Sequence, residues 1–155
     1  MKVNEIMSLP VGTLYDADEG CHLYLWTTNN FLPDALDVIK AWGFEYVSII
    51  TWQKDRFGLG QYFRGITEHC LFARTPVVLP YKMIDGKRQQ GLTGFSEAKT
   101  THSTKPVKKR CMIERVSYAP RIELFARRPC PGWDVWRNEV EGINWIEEDL
   151  SHKVG

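Results

Sequence analysis

Residues 101–110 read THSTKPVKKR, joining hydroxyl side chains and a lysine to the start of a basic segment with helical character. Pro106 suits the first turn of a helix, and Ser103 or Thr104 can cap that helix. The amino end of a helix offers free N–H groups and a partial positive charge, and Lys105 stands beside it. The stretch therefore predicts a seat for a carboxylate or phosphate, although the same residues equally suit a simple capped helix.

A second candidate site lies in residues 121–140, RIELFARRPCPGWDVWRNEV, where two predicted strands end in polar side chains. In open α/β sheets, ligands bind at the carboxyl ends of the strands. Asn138 and Glu139 at such an end can hydrogen-bond the vicinal hydroxyls of a ribose, and Arg127 can reach a nucleoside or a carboxylate. The alternative is that Asn138 and Glu139 only close a turn.

Two further stretches combine side chains that suit nucleic acid. LWTTNNF at 25–31 places hydroxyls, amides and an aromatic ring at another strand end. The loop from Trp52 to Arg64 interleaves cations and rings, namely Lys54, Arg56, Arg64, Phe57, Tyr62 and Phe63. Cations neutralise phosphates and aromatic faces stack on bases, so this loop predicts a nucleic-acid contact. The alternative is an exposed loop whose rings fold back onto the body of the protein.

The charge of the chain is unevenly distributed. The formal net charge is +1, yet residues 82–110 hold eight basic and two acidic side chains. A local excess of this size on an otherwise acidic chain indicates a site for a polyanion. A solvated basic loop is an equally good explanation from charge alone.

The hydrophobic pattern predicts the elements that must position these side chains. Strands are expected at 22–28, 46–52, 68–74, 121–127 and 133–138, and helices near the amino terminus, after Asn30 and from about Pro106. In the second helix Leu32, Leu36 and Ile39 trace the expected buried face, with Gly43 at its end. This order of elements predicts an α/β sandwich with a largely parallel sheet.

The remaining expectations concern the chain as a whole. With 155 residues, the sequence suits a single domain. Residues 75–104 are polar and rich in turn-forming residues, so we expect a long, flexible loop there. The four cysteines form no C-x-x-C pair, and no apolar run has the length of a membrane span. These features predict buried free thiols, no metal site and a cytoplasmic protein.

The chain resembles the MT-A family of adenine-N6 methyltransferases through an ordered series of short motifs between about residues 3 and 140. The series reads LYLWTTNNFLPDALDVIKAWGF, W-x-K, GLGQYFR, TEHCLF, HSTKP, ERV, RIELFARR and GWDVWRNE. Each motif is unremarkable alone, and their order makes the resemblance specific. The family includes RNA methyltransferases and many bacterial and phage DNA methyltransferases.

The resemblance implies a fold, a cofactor and a set of site residues. The fold is a Rossmann-like methyltransferase sandwich in a permuted order, and the cofactor is S-adenosylmethionine. Lys105 matches the family lysine that contacts the cofactor carboxylate, Arg127 an arginine near the ribose, and Asn138 and Glu139 the ribose-binding pair. The expected substrate contacts are Lys54, Arg56, Tyr62, Arg64 and His102. The resemblance also implies that residues 75–104 form a substrate gate. It favours DNA rather than RNA as the substrate, and it is compatible with a homodimer or a heterodimer.

The sequence departs from the family in its catalytic motif. Family members hold the target adenine with Asp-Pro-Pro-Trp or a close variant, and no Asp-Pro-Pro occurs in this sequence. We therefore expect an N-terminally truncated domain whose sheet lacks a central strand. The rival hypothesis is a catalytically inactive module that binds nucleic acid or pairs with an active partner. A second departure is Pro129 and Cys130, where other members have polar residues that contact the cofactor.

Overall fold

The computed structural model of the chain describes residues 2–55, 60, 62–77, 79–98, 106–125 and 131–136. The helices are α1 (Val3–Met7), α2 (Leu32–Ala41) and α3 (Val107–Val116). The strands are β1 (His22–Thr27), β2 (Glu45–Gln53), β3 (Thr67–Arg74), β4 (Met83–Ile84), β5 (Lys87–Arg88), β6 (Gly94–Ser96), β7 (Ile122–Leu124) and β8 (Asp134–Trp136). No helix among these residues is both long and apolar enough to cross a membrane.

The main sheet has four strands in the order β1-β3-β2-β6. β3 is antiparallel to both of its neighbours, and only β6 pairs parallel with β2. The expected largely parallel sheet is therefore wrong, and the sheet is mixed. Residues 54–66 join β2 to β3, and those of them that the structure describes form no crossover helix. A strand that returns without such a helix pairs antiparallel. β1 and β2, which α2 connects, still run in the same direction.

A second, two-stranded sheet lies beside the first. β7 and β8 pair in parallel, with Leu124 opposite Trp136. Within the described residues neither strand pairs with β1, which forms an edge of the main sheet. The two sheets share apolar contacts instead, because Leu124 packs against both the main core and Trp136. The fold is thus α/β, as expected, and its described strands form one four-stranded sheet and two two-stranded sheets, β4–β5 and β7–β8.

The main core lies between α2 and one face of the four-stranded sheet. Ile39, Leu71 and Ala73 are at most 1% exposed, and Val38 and Trp42 join them. The expected helix face was partly wrong, because Leu36 is exposed while Ala35, Val38 and Ile39 are buried. The helix ends as expected at Gly43, whose φ of +81° is a conformation that glycine adopts at little cost.

Helix α3 covers the opposite face of the same sheet. Its buried side chains are Lys109, Ile113 and Ser117, the last just beyond the helix, at the four-residue spacing of one helix face. Lys109 lies over the ring of Trp26, and Ser117 lies against His22 and Tyr24. The alternate residues of β1 thus point at α3, as the two-residue period of a strand requires.

The segment between β3 and α3 holds more structure than its composition predicts. Residues 79–98 contain the β4–β5 hairpin and the strand β6, where an irregular loop was expected. β6 pairs with the end of β2, and Thr51 N–H donates to the carbonyl of Thr93 at 2.8 Å. Backbone pairing with β2 therefore orders a stretch that has few apolar side chains of its own.

Among the described cysteines, Cys21, Cys70 and Cys111 are free thiols. Cys70 is fully buried and Cys21 is half-buried, as expected for thiols in apolar strands. Cys111 contradicts the expectation of a buried thiol, since it is exposed on the outer side of α3.

Candidate functional site

Several strands end on the same side of the main sheet, along a border that crosses the strands. β1, β2 and β6 run in the same direction, so their carboxyl ends meet there, together with the start of β3. We call this edge the carboxyl edge; it comprises residues 27–31, 53–54, 67–69 and 96–97. Ligands of open α/β sheets bind at such ends because the connecting loops diverge there.

The amino end of α3 is docked at this edge by Glu97. The carboxylate of Glu97 accepts the backbone N–H groups of Val107 at 2.9 Å and Lys108 at 3.2 Å. Its carbonyl accepts the indole N–H of Trp52 at 2.7 Å. The sequence predicted that N–H groups at the start of α3 would bind an external anion. In the structure, the N–H groups of Val107 and Lys108 are bonded to a carboxylate of the chain itself. Ser103 and Thr104, the expected caps, lie outside the described residues.

Lys54 and Glu68 form a buried ion pair beside Trp52. The ammonium lies 3.0 Å from the carboxylate, and the two side chains are 17% and 9% exposed. The same ammonium lies 5.1 Å from the centre of the Trp52 ring. Lys54, expected to contact substrate, is thus engaged with Glu68 at the carboxyl edge, and a phosphate must compete with that carboxylate.

Two rings of the loop that joins β2 to β3 project outward, and the third, Phe57, lies outside the described residues. Tyr62 is 94% exposed and Phe63 is 91% exposed, and Arg64 beside them is exposed as well. For Tyr62 and Phe63, the alternative in which the rings fold back onto the body is therefore wrong. Two adjacent solvent-facing rings next to an arginine suit stacking on unpaired bases.

A chain of hydrogen bonds at the carboxyl edge was missed by sequence reasoning. Nε2 of His69 lies 2.6 Å from the side-chain oxygen of Asn29, and Nδ1 lies 3.0 Å from the hydroxyl of Thr51. If Nε2–H donates to Asn29, Nδ1 is left to accept from Thr51. The available signal was the pairing of Thr51 with His69 across β2 and β3, which depends on a strand register that the sequence does not state.

The basic residues of α3 and its flanks mostly serve the protein itself. Lys109 is 5% exposed, with its ammonium 4.1 Å from the centre of the Trp26 ring. Lys108 donates to the carbonyl of Ser96 at 2.8 Å, and Arg110 pairs with Glu123 at 2.7 Å. These three of the eight basic residues therefore have structural partners, which the count of charges does not reveal.

The other expected site residues lie outside the described residues. These are the cofactor residues Lys105, Arg127, Asn138 and Glu139, and the substrate residues Arg56 and His102. Their roles stay predictions from the sequence.

A polar cluster ties β1 to the carboxyl end of α3, away from the carboxyl edge. The hydroxyl of Ser117 lies 2.7 Å from Nδ1 of His22 and 2.8 Å from the hydroxyl of Tyr24. Burial lowers the pKa of His22, and the neighbouring Arg74 guanidinium lowers it further. Burial raises the pKa of Tyr24 to about 12, against the opposing effect of its hydrogen bond with Ser117.

This cluster predicts a stability that depends on pH. Because the folded state lowers the pKa of His22, the unfolded chain binds a proton more readily, so stability is full above the unfolded pKa and falls on acidification. We expect the thermal midpoint to be lower at about pH 5.5 than at about pH 7.5, two values that bracket the usual histidine pKa. The fall should be smaller in His22→Gln, in which every other titrating group is retained. Equal falls in both proteins would contradict this assignment.

Comparison of the chain with known proteins identifies the class of protein to which it belongs. The family model for MT-A70 matches residues 1–139. The chain is 30% identical over 142 residues to the type II methyltransferase M.MunI of Mycoplasma sp, covering 90% of this chain and 58% of that protein. It is 31% identical over 172 residues to the N(6)-adenosine-methyltransferase catalytic subunit METTL3 of Homo sapiens, covering 93% of this chain and 28% of that protein.

The chain therefore belongs to the MT-A70 family of adenine-N6 methyltransferases, and the resemblance seen in the sequence motifs is confirmed. The MT-A70-like N(6)-adenosine-methyltransferase of Drosophila melanogaster is a further relative, at 30% identity over 169 residues, covering 93% of this chain and 26% of that protein. The chain spans little more than half of M.MunI and under a third of METTL3.

Proposed function

We propose that this chain forms the cofactor side of an enzyme that transfers a methyl group from S-adenosylmethionine to N6 of adenine in nucleic acid. The observation that carries the proposal is the family match over residues 1–139, in which the motifs keep the family order. The carboxyl edge supports it, because outward-facing rings and the start of α3 lie where α/β sheets bind ligands.

The cofactor contacts proposed are those of the sequence motifs. S-adenosylmethionine supplies an electrophilic methyl group when it is bound. Lys105 neutralises its carboxylate, Asn138 and Glu139 hydrogen-bond its ribose hydroxyls, and Arg127 lies near the ribose. Since Glu97 already occupies the first N–H groups of α3, the charge of Lys105 becomes the main attraction for that carboxylate.

The substrate contacts proposed lie around the loop that joins β2 to β3. Tyr62 stacks on a base, and Arg56, Arg64 and His102 contact phosphates, with Lys54 available only when it leaves Glu68. We further propose DNA rather than RNA as the substrate, residues 75–104 as a gate, and a cytoplasmic protein that can form a homodimer or heterodimer.

Replacing Lys105 tests the proposal most directly. Calorimetric titration of S-adenosylmethionine should show binding to the wild-type chain and a Kd about tenfold or more higher in Lys105→Ala, because a charged hydrogen bond contributes ~1.5–3 kcal/mol. Lys40→Ala is the matched control, since Lys40 is exposed on α2. A wild-type chain that binds no cofactor would overturn the proposed function, and equal affinities in Lys105→Ala and wild type would overturn only the role of Lys105.

A second candidate function is a nucleic-acid-binding module without methyl transfer. The observation that favours it is Glu97, whose carboxylate fills the helix amides that an external carboxylate would otherwise use. Incubation with tritiated cofactor and oligonucleotides separates the two functions. Salt-sensitive binding with no tritium in the nucleic acid supports the binding module, and incorporated tritium excludes it.

A further inference from the structure

The β4–β5 hairpin is an exposed feature within residues 75–104, and the proposed function assigns none of its side chains a contact. Its turn is Asp85-Gly86, with φ of 52° and 74°, the positive values that a two-residue turn of type I′ requires. Met83 pairs with Arg88 and Ile84 with Lys87. From Lys82 to the turn the ribbon extends about three residues, or roughly 10 Å.

The base of the hairpin is fixed to the carboxyl end of α3. The ammonium of Lys82 donates to the carbonyl of Glu114, and the N–H of Met83 donates to the hydroxyl of Tyr118 at 3.1 Å. The N–H of Gln89 donates to the carbonyl of Lys82 at 2.9 Å, which extends the ladder by one step. These bonds hold the ribbon in one orientation, at the opposite end of α3 from the carboxyl edge.

The hairpin exposes apolar and cationic side chains that a binding partner can contact. Met83 is 48% exposed and Ile84 is 49% exposed. The guanidinium of Arg88 stacks on Tyr81, 3.3 Å from the ring centre. Among the described residues, the ammonium of Lys87 has no hydrogen bond or ion pair. A rigid ribbon that shows apolar and cationic groups together indicates an interaction surface.

The shape and charge of this ribbon select the partner. It presents about half a dozen side chains, whereas a stable protein interface uses about 20–30 residues a side. Its outward charges, Lys87 and Arg88 against Asp85, are net positive. The major groove of B-DNA is about 12 Å wide and about 8.5 Å deep, and it admits a two-stranded ribbon of this length. The major groove of A-form RNA is too narrow for side chains to enter.

We propose that the β4–β5 hairpin enters the major groove of duplex DNA. Met83 and Arg88 share one face of the ribbon, and Ile84 and Lys87 share the other. The two cations therefore reach phosphates on opposite walls of the groove. This inference rests on the proposed function only in taking nucleic acid as the partner. α3 spans about 15 Å, so a duplex seated on the hairpin can also pass the carboxyl edge roughly half a helical turn away.

Anisotropy titrations of the full chain test this directly. The probes are a labelled DNA duplex of about 20 base pairs, two turns of B-DNA, and an RNA duplex of the same sequence, each over a range of salt. The test variant is Lys87→Gln with Arg88→Gln. The control is Lys2→Gln with Lys40→Gln, which removes the same charge from two exposed positions, one just before α1 and one on α2. Circular dichroism and thermal midpoints establish that both variants are folded.

We expect the test variant to bind duplex DNA about tenfold more weakly than the control. The slope of log K against log salt should fall by about 1.8, since each of two lost phosphate contacts contributes about 0.9. The wild-type chain should protect guanine N7, which lies in the major groove, from dimethyl sulfate. If the double variant does not fold, Lys87→Gln alone should reduce the slope by about 0.9.

Several outcomes would overturn the proposal. They are equal DNA binding by test and control variants, an equal loss on duplex RNA, unprotected guanine N7, or no duplex binding by the wild-type chain. The proposed function fails separately, since it depends on binding of S-adenosylmethionine. If the chain binds the cofactor but its hairpin does not bind DNA, the proposed methyltransferase function still stands.

Discussion

Trp52→Ala is expected to lower the free energy of unfolding by about 3–5 kcal/mol, the usual range for removing a buried aromatic side chain. Trp52 is 2% exposed, and its ring meets Trp26 edge-on with centroids 6.0 Å apart. Its indole N–H donates to Glu97, the residue whose carboxylate caps α3. The substitution therefore leaves a cavity and removes one of the bonds that hold the start of α3 at the carboxyl edge.

Trp52→Phe is the matched variant that separates these two contributions. It keeps a ring in the cavity and removes the indole N–H, so we expect a smaller loss of ~1–3 kcal/mol, the range for an unsatisfied buried group. Urea denaturation of both variants measures the difference. Equal losses in the two variants would show that the hydrogen bond to Glu97, and not the volume of the ring, dominates.

Lys109→Glu is expected to destabilise the fold by about 3–5 kcal/mol, since it leaves a buried charge without its favourable surroundings. Lys109 is 5% exposed, and its ammonium faces the rings of Trp26 at 4.1 Å and Tyr24 at 5.9 Å. Aromatic faces carry negative potential, so they attract an ammonium and repel a carboxylate.

Lys109→Met tests whether the sign of the charge is what matters. Methionine retains an unbranched apolar stem, and replacing a buried ion by an apolar group of similar volume is often close to neutral, so we expect a change within about 1–2 kcal/mol. Chemical denaturation at one pH and one salt concentration compares the two variants. A loss in Lys109→Met as large as that in Lys109→Glu would show that the charge itself is required.

For Trp52 and Lys109, the sequence predicted the local secondary structure but not the tertiary contacts. Trp52 was placed in a strand because apolar, β-branched and aromatic residues in a short run favour a buried strand, and β2 is found at Glu45–Gln53. Lys109 was counted in the basic stretch of residues 82–110, which was interpreted as either a polyanion site or a solvated loop. Its burial depends on Trp26, which is 83 positions away in the chain, so no local pattern could indicate it.

The same limit explains the sheet and the helix α2. The strands β1, β2 and β3 were predicted within one or two residues of their bounds, yet the direction of β3 depends on how residues 54–66 return the chain. The span of α2 was predicted from its periodicity and its glycine stop. Its buried face was displaced from Leu36 toward Ala35 and Val38, because the sheet beneath it decides which face is covered.

The candidate site divides in a similar way. The motifs alone indicated the family, since an ordered series of short matches depends only on the order of residues along the chain, and the family match confirms it. They also indicated a capped helix near Pro106. That the cap is Glu97, ten positions before Val107, depended on β6 pairing with β2.

The sequence by itself determined the family, the positions of the main strands and helices, and the residue types available to a nucleotide and a nucleic acid. These properties follow from local composition, periodicity and motif order, which are properties of neighbouring residues. Only the tertiary structure decided which charges remain available, because pairing between distant residues commits Lys54 to Glu68, Lys108 to Ser96 and Arg110 to Glu123. It also decided that the hairpin of Lys87 and Arg88 projects from the surface, since that orientation depends on bonds to α3 and Tyr118.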